Sequence, residues 1–237
     1  MIQPQQESFN QKIDVPNNFG IEVYVKREDV LHSEISGNKF RKLKYNLIEA
    51  RTLGFTKLLT FGGAYSNHIA AVAAAGKEFG FETIGIIRGE ELQEKYLENP
   101  TLKKASENGM QFEFVTRTQY RDKNNLAFLD QLKEKFGNFN LIPEGGTNEL
   151  AVKGCKEILT ADDELFDFIC CAVGTGGTIS GIINSLKPHQ KAIGFPALKG
   201  DFLTEDIQKY AENSQWDLVT DYHFGGYAKI NDELKQF

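Results

Sequence analysis

This sequence of 237 residues predicts an open α/β fold with largely parallel sheets and helices on both faces, in one large domain or two small ones, and three observations carry the fold class. Apolar runs of strand length alternate with amphipathic helical stretches almost throughout, the order expected of repeated strand–helix units. Several runs are continuously apolar rather than alternating, as parallel strands covered on both faces require. Two strand-to-helix turns are rich in Gly and small polar residues, and open α/β sheets bind their ligands at the carboxyl ends of the strands.

Taken in chain order, the first strand is expected at 21–25, followed by a helix at 40–52 that begins after Ser36-Gly37-Asn38. An apolar strand at 57–61 leads through Gly62–Asn67 into an Ala-rich helix at 68–79. A strand at 83–87 follows. The charged stretch 88–100 (RGEELQEKYLENP) reads as a long surface connection. Next come a helix at 102–108, a strand at 112–115, a helix at 125–136 and a short strand at 140–142. The last third repeats the alternation: helix 149–159, strand 166–173, helix 178–186, strand 191–195 and helix 201–212. No internal repeat or low-complexity linker is visible.

Composition narrows the function classes. Hydrophobic residues make up 41% and charged residues 25%, near the soluble globular average, which excludes collagen-like and intrinsically disordered chains. With 27 Lys+Arg against 33 Asp+Glu the net charge is −6, against the basic balance of a general nucleic-acid binder. No apolar stretch approaches the roughly 20 residues of a membrane helix. The start MIQPQQESFNQK lacks the pattern of a targeting peptide, so the chain is expected in the cytoplasm. Cys155, Cys170 and Cys171 are too few and too badly spaced for a disulfide framework or a zinc site. Two of them lie in an apolar run and are expected as buried reduced thiols.

Chemistry is expected in three segments. In Ser36–Lys44, four of the six residues from Lys39 to Lys44 are cationic. A solvated basic helix face would explain a plain lysine run. Here the cations follow a sharp turn, and Lys39 and Lys42 are three apart, so both project from one helical face. One lysine could then bond covalently to a carbonyl while the other holds an anion beside it. In Phe61–His68, Ser66 or Asn67 is a natural helix N-cap. Capping would explain one of these residues; Tyr65-Ser66-Asn67-His68 in a row could instead converge on a small carboxylate at the helix N-terminus. The run of small residues after it suggests that something packs closely on that helix. In Val173–Gly181, successive backbone N–H groups of a Gly-rich turn make an anion-binding nest, or the turn is merely tight. It is neither of the common nucleotide loops: Ile179 replaces the third glycine of G-x-G-x-x-G, and no Lys follows as in a P-loop. A phosphate on a non-nucleotide cofactor suits it better.

Together these segments resemble pyridoxal-phosphate enzymes of the tryptophan-synthase-β fold, fold type II, and among them the 1-aminocyclopropane-1-carboxylate deaminase / D-cysteine desulfhydrase family. The matching residues are VKREDV (25–30), SGNKFRKLKY (36–45), GGAYSNH (62–68), IPEGGTN (142–148), AVGTGGTISG (172–181) and DYHFGGYAKIND (221–232), in the family's order across nearly the whole chain. The resemblance implies that Lys39 bonds pyridoxal 5'-phosphate covalently and, once freed by substrate, moves the Cα proton. It implies that Lys42 meets the cofactor phosphate together with the amides of Gly174, Thr175, Gly176, Gly177 and Thr178, and that Asn67 hydrogen-bonds the ring hydroxyl. Ser66, Asn67 and His68 would bind the substrate, with Ser66 also acting in proton transfer or as a nucleophile. Tyr227 would be an active-site phenol, or simply a surface tyrosine in a glycine-rich loop.

The family also implies a small amino-acid substrate, a homodimer, no nucleic acid and no membrane. It places residues 46–146 in a small mobile domain, with 1–45 and 147–237 building the large one. Two departures stand out: Tyr65 replaces the glutamine of some members, and the chain is expected to be truncated at its C-terminus, where members carry a further tyrosine and the residue facing the pyridine nitrogen. The two activities differ in kind, because D-cysteine has a Cα–H to remove and the cyclopropane substrate has none. Other readings are a cysteine-synthase or serine-dehydratase relative, and a non-catalytic protein that binds the cofactor without turnover.

Overall fold

The computed structural model describes residues 2–198, 202–226 and 230–236. Among the described residues nine strands run in the order β1 (Asn10–Ile13), β2 (Val23–Lys26), β3 (Lys57–Gly62), β4 (Glu82–Arg88), β5 (Gln111–Val115), β6 (Asn140–Ile142), β7 (Phe168–Val173), β8 (Lys191–Pro196) and β9 (Trp216–Leu218). The helices are α1 (Asn38–Thr52), α2 (Asn67–Phe79), α3 (Pro100–Glu107), α4 (Arg117–Arg121), α5 (Leu126–Phe136), α6 (Glu149–Cys155), α7 (Gly177–Ile183), α8 (Phe202–Gln208) and α9 (Asp232–Gln236). They form two units: Met1–Ser8 with Arg27–Gly146, and Phe9–Lys26 with Thr147–Phe237.

The first unit is built on a four-stranded parallel sheet in the order β5-β4-β3-β6, with Thr60 of β3 opposite Gly85 of β4 and Ile142 of β6. Alternate residues of β3 and β4 enter different cores. Leu58 and Ile87 pack with Phe40, Leu43 and Leu47 of α1, Ile69 and Val72 of α2, and Leu102 of α3. Leu59, Phe61, Ile84 and Ile86 pack with Tyr120 of α4 and Leu132 of α5. The sheet is therefore covered on both faces, which is why its strands read as continuous apolar runs. Each fully buried Leu, Ile or Phe contributes roughly 1.5–3 kcal/mol. The small residues of α2 from Ala71 to Gly76 are all buried in this unit, which accounts for the Ala-rich run.

The second unit has a three-stranded parallel sheet in the order β7-β8-β9 and an antiparallel pair of β1 with β2. Its core joins Cys155 of α6, Val173 of β7, Ile179, Ile182 and Ile183 of α7, and Leu203 and Ile207 of α8. Asp163 ties in the antiparallel pair by accepting from Asn10 Nδ2 at 2.9 Å and Lys26 Nζ at 2.7 Å.

The α/β class and the parallel sheets are as expected, and the boundaries move by a few residues. Helix α1 starts at Asn38 rather than at 40, so Lys39 lies inside its first turn. Helix α6 ends at Cys155 rather than at 159. Strands β1 and β9 and helix α4 were not anticipated. The division of the chain also differs from the one expected: α1 runs unbroken through position 45, and its apolar face shares a core with α2, so residues 27–45 belong to the first unit. The cysteines need a correction too. Only Cys155 is buried; Cys170 is exposed and Cys171 intermediate, because Phe168, Cys170 and Ala172 of β7 form an uncovered face.

Candidate active site

In the first unit, α1 brings two lysines to one backbone oxygen. Lys42 Nζ donates to the Gly145 carbonyl at 3.0 Å, and Lys39 Nζ lies 3.5 Å from the same atom. Lys42 is 2% exposed, and burial of an ammonium is tolerable only when it is hydrogen-bonded. Lys39 is half-buried. The carbonyl is aimed by the short turn Glu144–Gly146, in which Gly145 has φ +68°. Glu144 is held in turn by the Tyr120 hydroxyl at 2.7 Å and the Lys123 ammonium at 3.3 Å. Burial, and after it the Glu144 carboxylate, push the Tyr120 phenol far above its ordinary value, so it stays a hydrogen-bond donor.

The second segment divides in two. Ser66 is the N-cap of α2 and its Oγ accepts from Ile69 N at 3.3 Å; Asn67 opens the helix and is exposed. Tyr65 is 66% exposed. His68, expected beside the substrate, turns its ring into the unit, where it is 2% exposed. Its Nε2 lies 2.9 Å from Thr60 Oγ1, and Thr60 donates its only hydroxyl proton to the Ile142 carbonyl at 2.9 Å. With Thr60 accepting, the His68 proton would sit on Nε2. Nδ1 is buried without a hydrogen-bond partner. Burial, and after it the charges of Lys39 and Lys42, hold this imidazole well below its ordinary pKa, against the weaker opposing pull of the Pro143 carbonyl. His68 is neutral. The ring fits only because residue 146 is glycine: a Cβ there would stand 2.9 Å from His68 Cε1, on a backbone with φ +71°.

In the second unit the Gly-rich turn follows β7 as expected. Gly174 and Thr175 are exposed, Gly176 takes the left-handed conformation at the N-cap of α7, and Gly177 and Thr178 are buried. Thr147 closes on the turn. Its Oγ1 is 2.6 Å from Thr175 Oγ1, and a Cβ on Gly177 would meet it at 2.8 Å.

The structure thus groups Lys39, Lys42 and His68 around the Gly145–Gly146 turn, places Ser66 and Asn67 at the head of α2, and keeps Gly174, Thr175, Gly176, Gly177 and Thr178 as one turn in the second unit. Tyr227 lies outside the described residues. Thr60, Gly145, Gly146 and Thr147 had no expected role; the only signal for the last three was the matching segment IPEGGTN. Among the described residues no group of three or more His, Cys, Asp or Glu could hold a metal.

Residues 11–215 match the family described as pyridoxal-phosphate dependent enzymes. The chain belongs to that family. It is 31% identical to a Thermotoga maritima protein provisionally named 1-aminocyclopropane-1-carboxylate deaminase, over 91% of this chain and 75% of that one. It is 26% identical to a Serratia proteamaculans D-cysteine desulfhydrase, over 90% and 72%. An Arabidopsis thaliana protein named as a bifunctional D-cysteine desulfhydrase/1-aminocyclopropane-1-carboxylate deaminase is 32% identical, over 71% of this chain and 45% of its own length. Among solved structures, that of an ACC deaminase homologue superposes with TM-score 0.81 at 26% identity, over 99% of this chain and 77% of that one. This family member takes pyridoxal phosphate as its cofactor and has the fold of type II enzymes. The chemistry of each unit suits that cofactor, which carries an aldehyde and a phosphate: the first unit has a half-buried amine, a buried ammonium beside it and an orphaned imidazole lone pair, and the second, by itself, has a Gly-rich turn.

Proposed function

We propose that this chain is a pyridoxal-phosphate-dependent lyase that deaminates a small amino acid. Its substrate is D-cysteine, converted to pyruvate, ammonia and sulfide, or 1-aminocyclopropane-1-carboxylate, converted to 2-oxobutanoate and ammonia. The observation that carries the proposal is the pairing of Lys39 and Lys42 on the Gly145 carbonyl. It gives one amine for covalent attachment and one fixed cation next to it, in a chain whose relatives are named for both activities.

When bound, the cofactor supplies an electron sink for charge that develops at the substrate Cα. The protein does the rest. Lys39 would hold the cofactor covalently; Lys42 and the amides of Gly174 to Thr178 would take its phosphate, and Asn67 its ring hydroxyl. Ser66, with the free N–H groups at the head of α2, would orient the substrate carboxylate, where the helix dipole favours an anion. The freed Lys39 amine would carry the Cα proton of D-cysteine. The cyclopropane substrate has no such proton and would lean more on Ser66 and Tyr227. The proposal includes a homodimer, for which light scattering should give twice the chain mass of 26.7 kDa, and a cytoplasmic location.

The test is an absorbance spectrum of the purified chain with pyridoxal phosphate, before and after borohydride, followed by D-cysteine with sulfide detection and the cyclopropane substrate with 2-oxobutanoate detection. A visible band that borohydride fixes onto Lys39, with turnover of either substrate, is the expected result. A stable Lys39 adduct that releases neither sulfide nor 2-oxobutanoate overturns the activity.

A further inference from the structure

The orphaned nitrogen of His68 calls for an explanation. A buried acceptor left without a donor costs on the order of 1–3 kcal/mol, and such groups in native structures usually have a task. His68 has its ring fixed from two sides. Thr60 and the Ile142 carbonyl define the proton position at Nε2, and the missing side chain of Gly146 makes room for the Nδ1 edge. That edge faces the turn whose neighbouring carbonyl, Gly145, receives the two lysine ammonium groups. Lys39 and Lys42, both on α1, are the charged groups that act on the ring; Glu144 of the turn is engaged by Tyr120 and Lys123.

We propose that His68 is a positioning residue for Lys39: the Thr60–Ile142 relay holds its proton on Nε2, and the bare Nδ1 accepts a hydrogen bond from the Lys39 amine whenever that amine is not bonded to a carbonyl. This rests on the reading of Lys39 as the cofactor lysine. Lys39 is the partner in preference to Lys42 for a geometric reason. Lys42 is wholly buried and donates to Gly145 at 3.0 Å, whereas Lys39 is only half-buried and lies 3.5 Å from that carbonyl. A neutral acceptor at that point steadies the protonated amine and points its lone pair consistently once the proton leaves. A cationic His68 would repel it, and burial prevents that state.

Two substitutions separate the nitrogens. In His68→Gln the amide can replace Nε2 toward Thr60 but offers nothing at Nδ1; in His68→Asn the amide oxygen takes the Nδ1 place. The experiment is trace acylation of the cofactor-free full chain with acetic anhydride at fixed pH, with the Lys39 and Lys42 peptides quantified by mass spectrometry. Loss of the acceptor should raise Lys39 acylation about tenfold in His68→Gln, equivalent to about 1.4 kcal/mol less stabilisation of the ammonium. His68→Asn should stay within twofold of the parent. Thr60→Val serves where His68→Gln does not fold. It frees the ring to carry its proton on Nδ1, so Lys39 acylation should rise and the His68 ring ¹⁵N signals should exchange their bare and protonated types.

Unchanged Lys39 acylation in His68→Gln, or in Thr60→Val, overturns the proposal, as does an increase confined to Lys42 or a parent spectrum with the proton on Nδ1. Borohydride trapping of pyridoxal phosphate on the parent chain reads the assignment of Lys39 separately. If no adduct forms there while the acylation pattern holds, the cofactor reading has failed and the His68–Lys39 contact has not.

Discussion

Gly62→Ala tests whether the approach of β3 to α2 is what places Ser66 and Asn67. A Cβ at residue 62 would stand 2.4 Å from Ile69 Cγ1, 2.9 Å from Ser66 Oγ and 3.0 Å from Ile69 Cδ1. Ordinary contact begins at 3.4 Å, so the first turn of α2 must retreat by about 1 Å from the strand. Ile69 is fully buried and has nowhere to rotate. Overpacking of this kind costs about 1–3 kcal/mol, and 2 kcal/mol should lower Tm by about 4–8 °C in a chain of this size. The retreat carries Ser66 and Asn67 with it, and a displacement of 1 Å in a positioning group costs about a hundredfold in rate. The assay pairs thermal unfolding of the cofactor-free chain with kcat/KM for whichever substrate turns over. Borohydride trapping on Lys39 should survive, because α1 is untouched. Adding Ile69→Ala removes the clashing Cγ1, so the double variant should be less destabilised than the two single effects added together. Parent-like Tm and kcat/KM in Gly62→Ala would refute the reasoning, and strict additivity in the double variant would refute the named contact.

Three further outcomes are expected. Lys39→Ala should abolish the visible band and the borohydride adduct of the loaded chain while leaving far-UV circular dichroism unchanged; a persistent band would move the attachment point elsewhere. Thr178→Asp should weaken pyridoxal-phosphate binding by tenfold or more, since a carboxylate beside the Gly-rich turn repels a phosphate, and equilibrium dialysis against Thr178→Val as control reads that effect; equal affinities would leave the turn only structural. In the second unit, burial pushes the Asp163 carboxyl up, but hydrogen bonds from Lys26 Nζ and Thr160 N, both at 2.7 Å, and from Asn10 Nδ2 outweigh it and leave its pKa below the ordinary value. The stability this confers is complete above the unfolded carboxyl's pKa near 4 and is lost as pH falls through the lower folded value, so Tm should drop there in the parent and drop less in Asp163→Asn.

What could be read from the chain, and what could not, follows from the range of the interactions. Lys39 and Lys42 were legible because their relation is local: three residues on one helix share a face whatever surrounds them. The apolar runs that became β3 and β4 were legible because both their faces meet helices. The run 166–173 looked the same and was misread at Cys170, because a sequence does not record which face of a strand its neighbours leave bare. Helix α4 is five residues long and is held by the capping box of Thr116 with Gln119, and β1 reads NQKI, with no apolar pattern to find. The deepest part of the site was invisible for a stronger reason. Gly145 meets Lys42 across 103 residues and Thr60 meets Ile142 across 82, and each contact exists only because β3 and β6 pair in register. His68 shows the consequence. In the sequence it stands in a row of polar residues after a glycine turn and reads as one more donor for a carboxylate. In the structure the helix has turned by about 100° per residue, so Ser66 and Asn67 head α2 while the next side chain points into the sheet, against a threonine whose only proton is already committed. A row of adjacent polar residues at a helix start thus divides between a pair at the head of the helix and a buried ring, whose partner lies on a strand that no local pattern could have named.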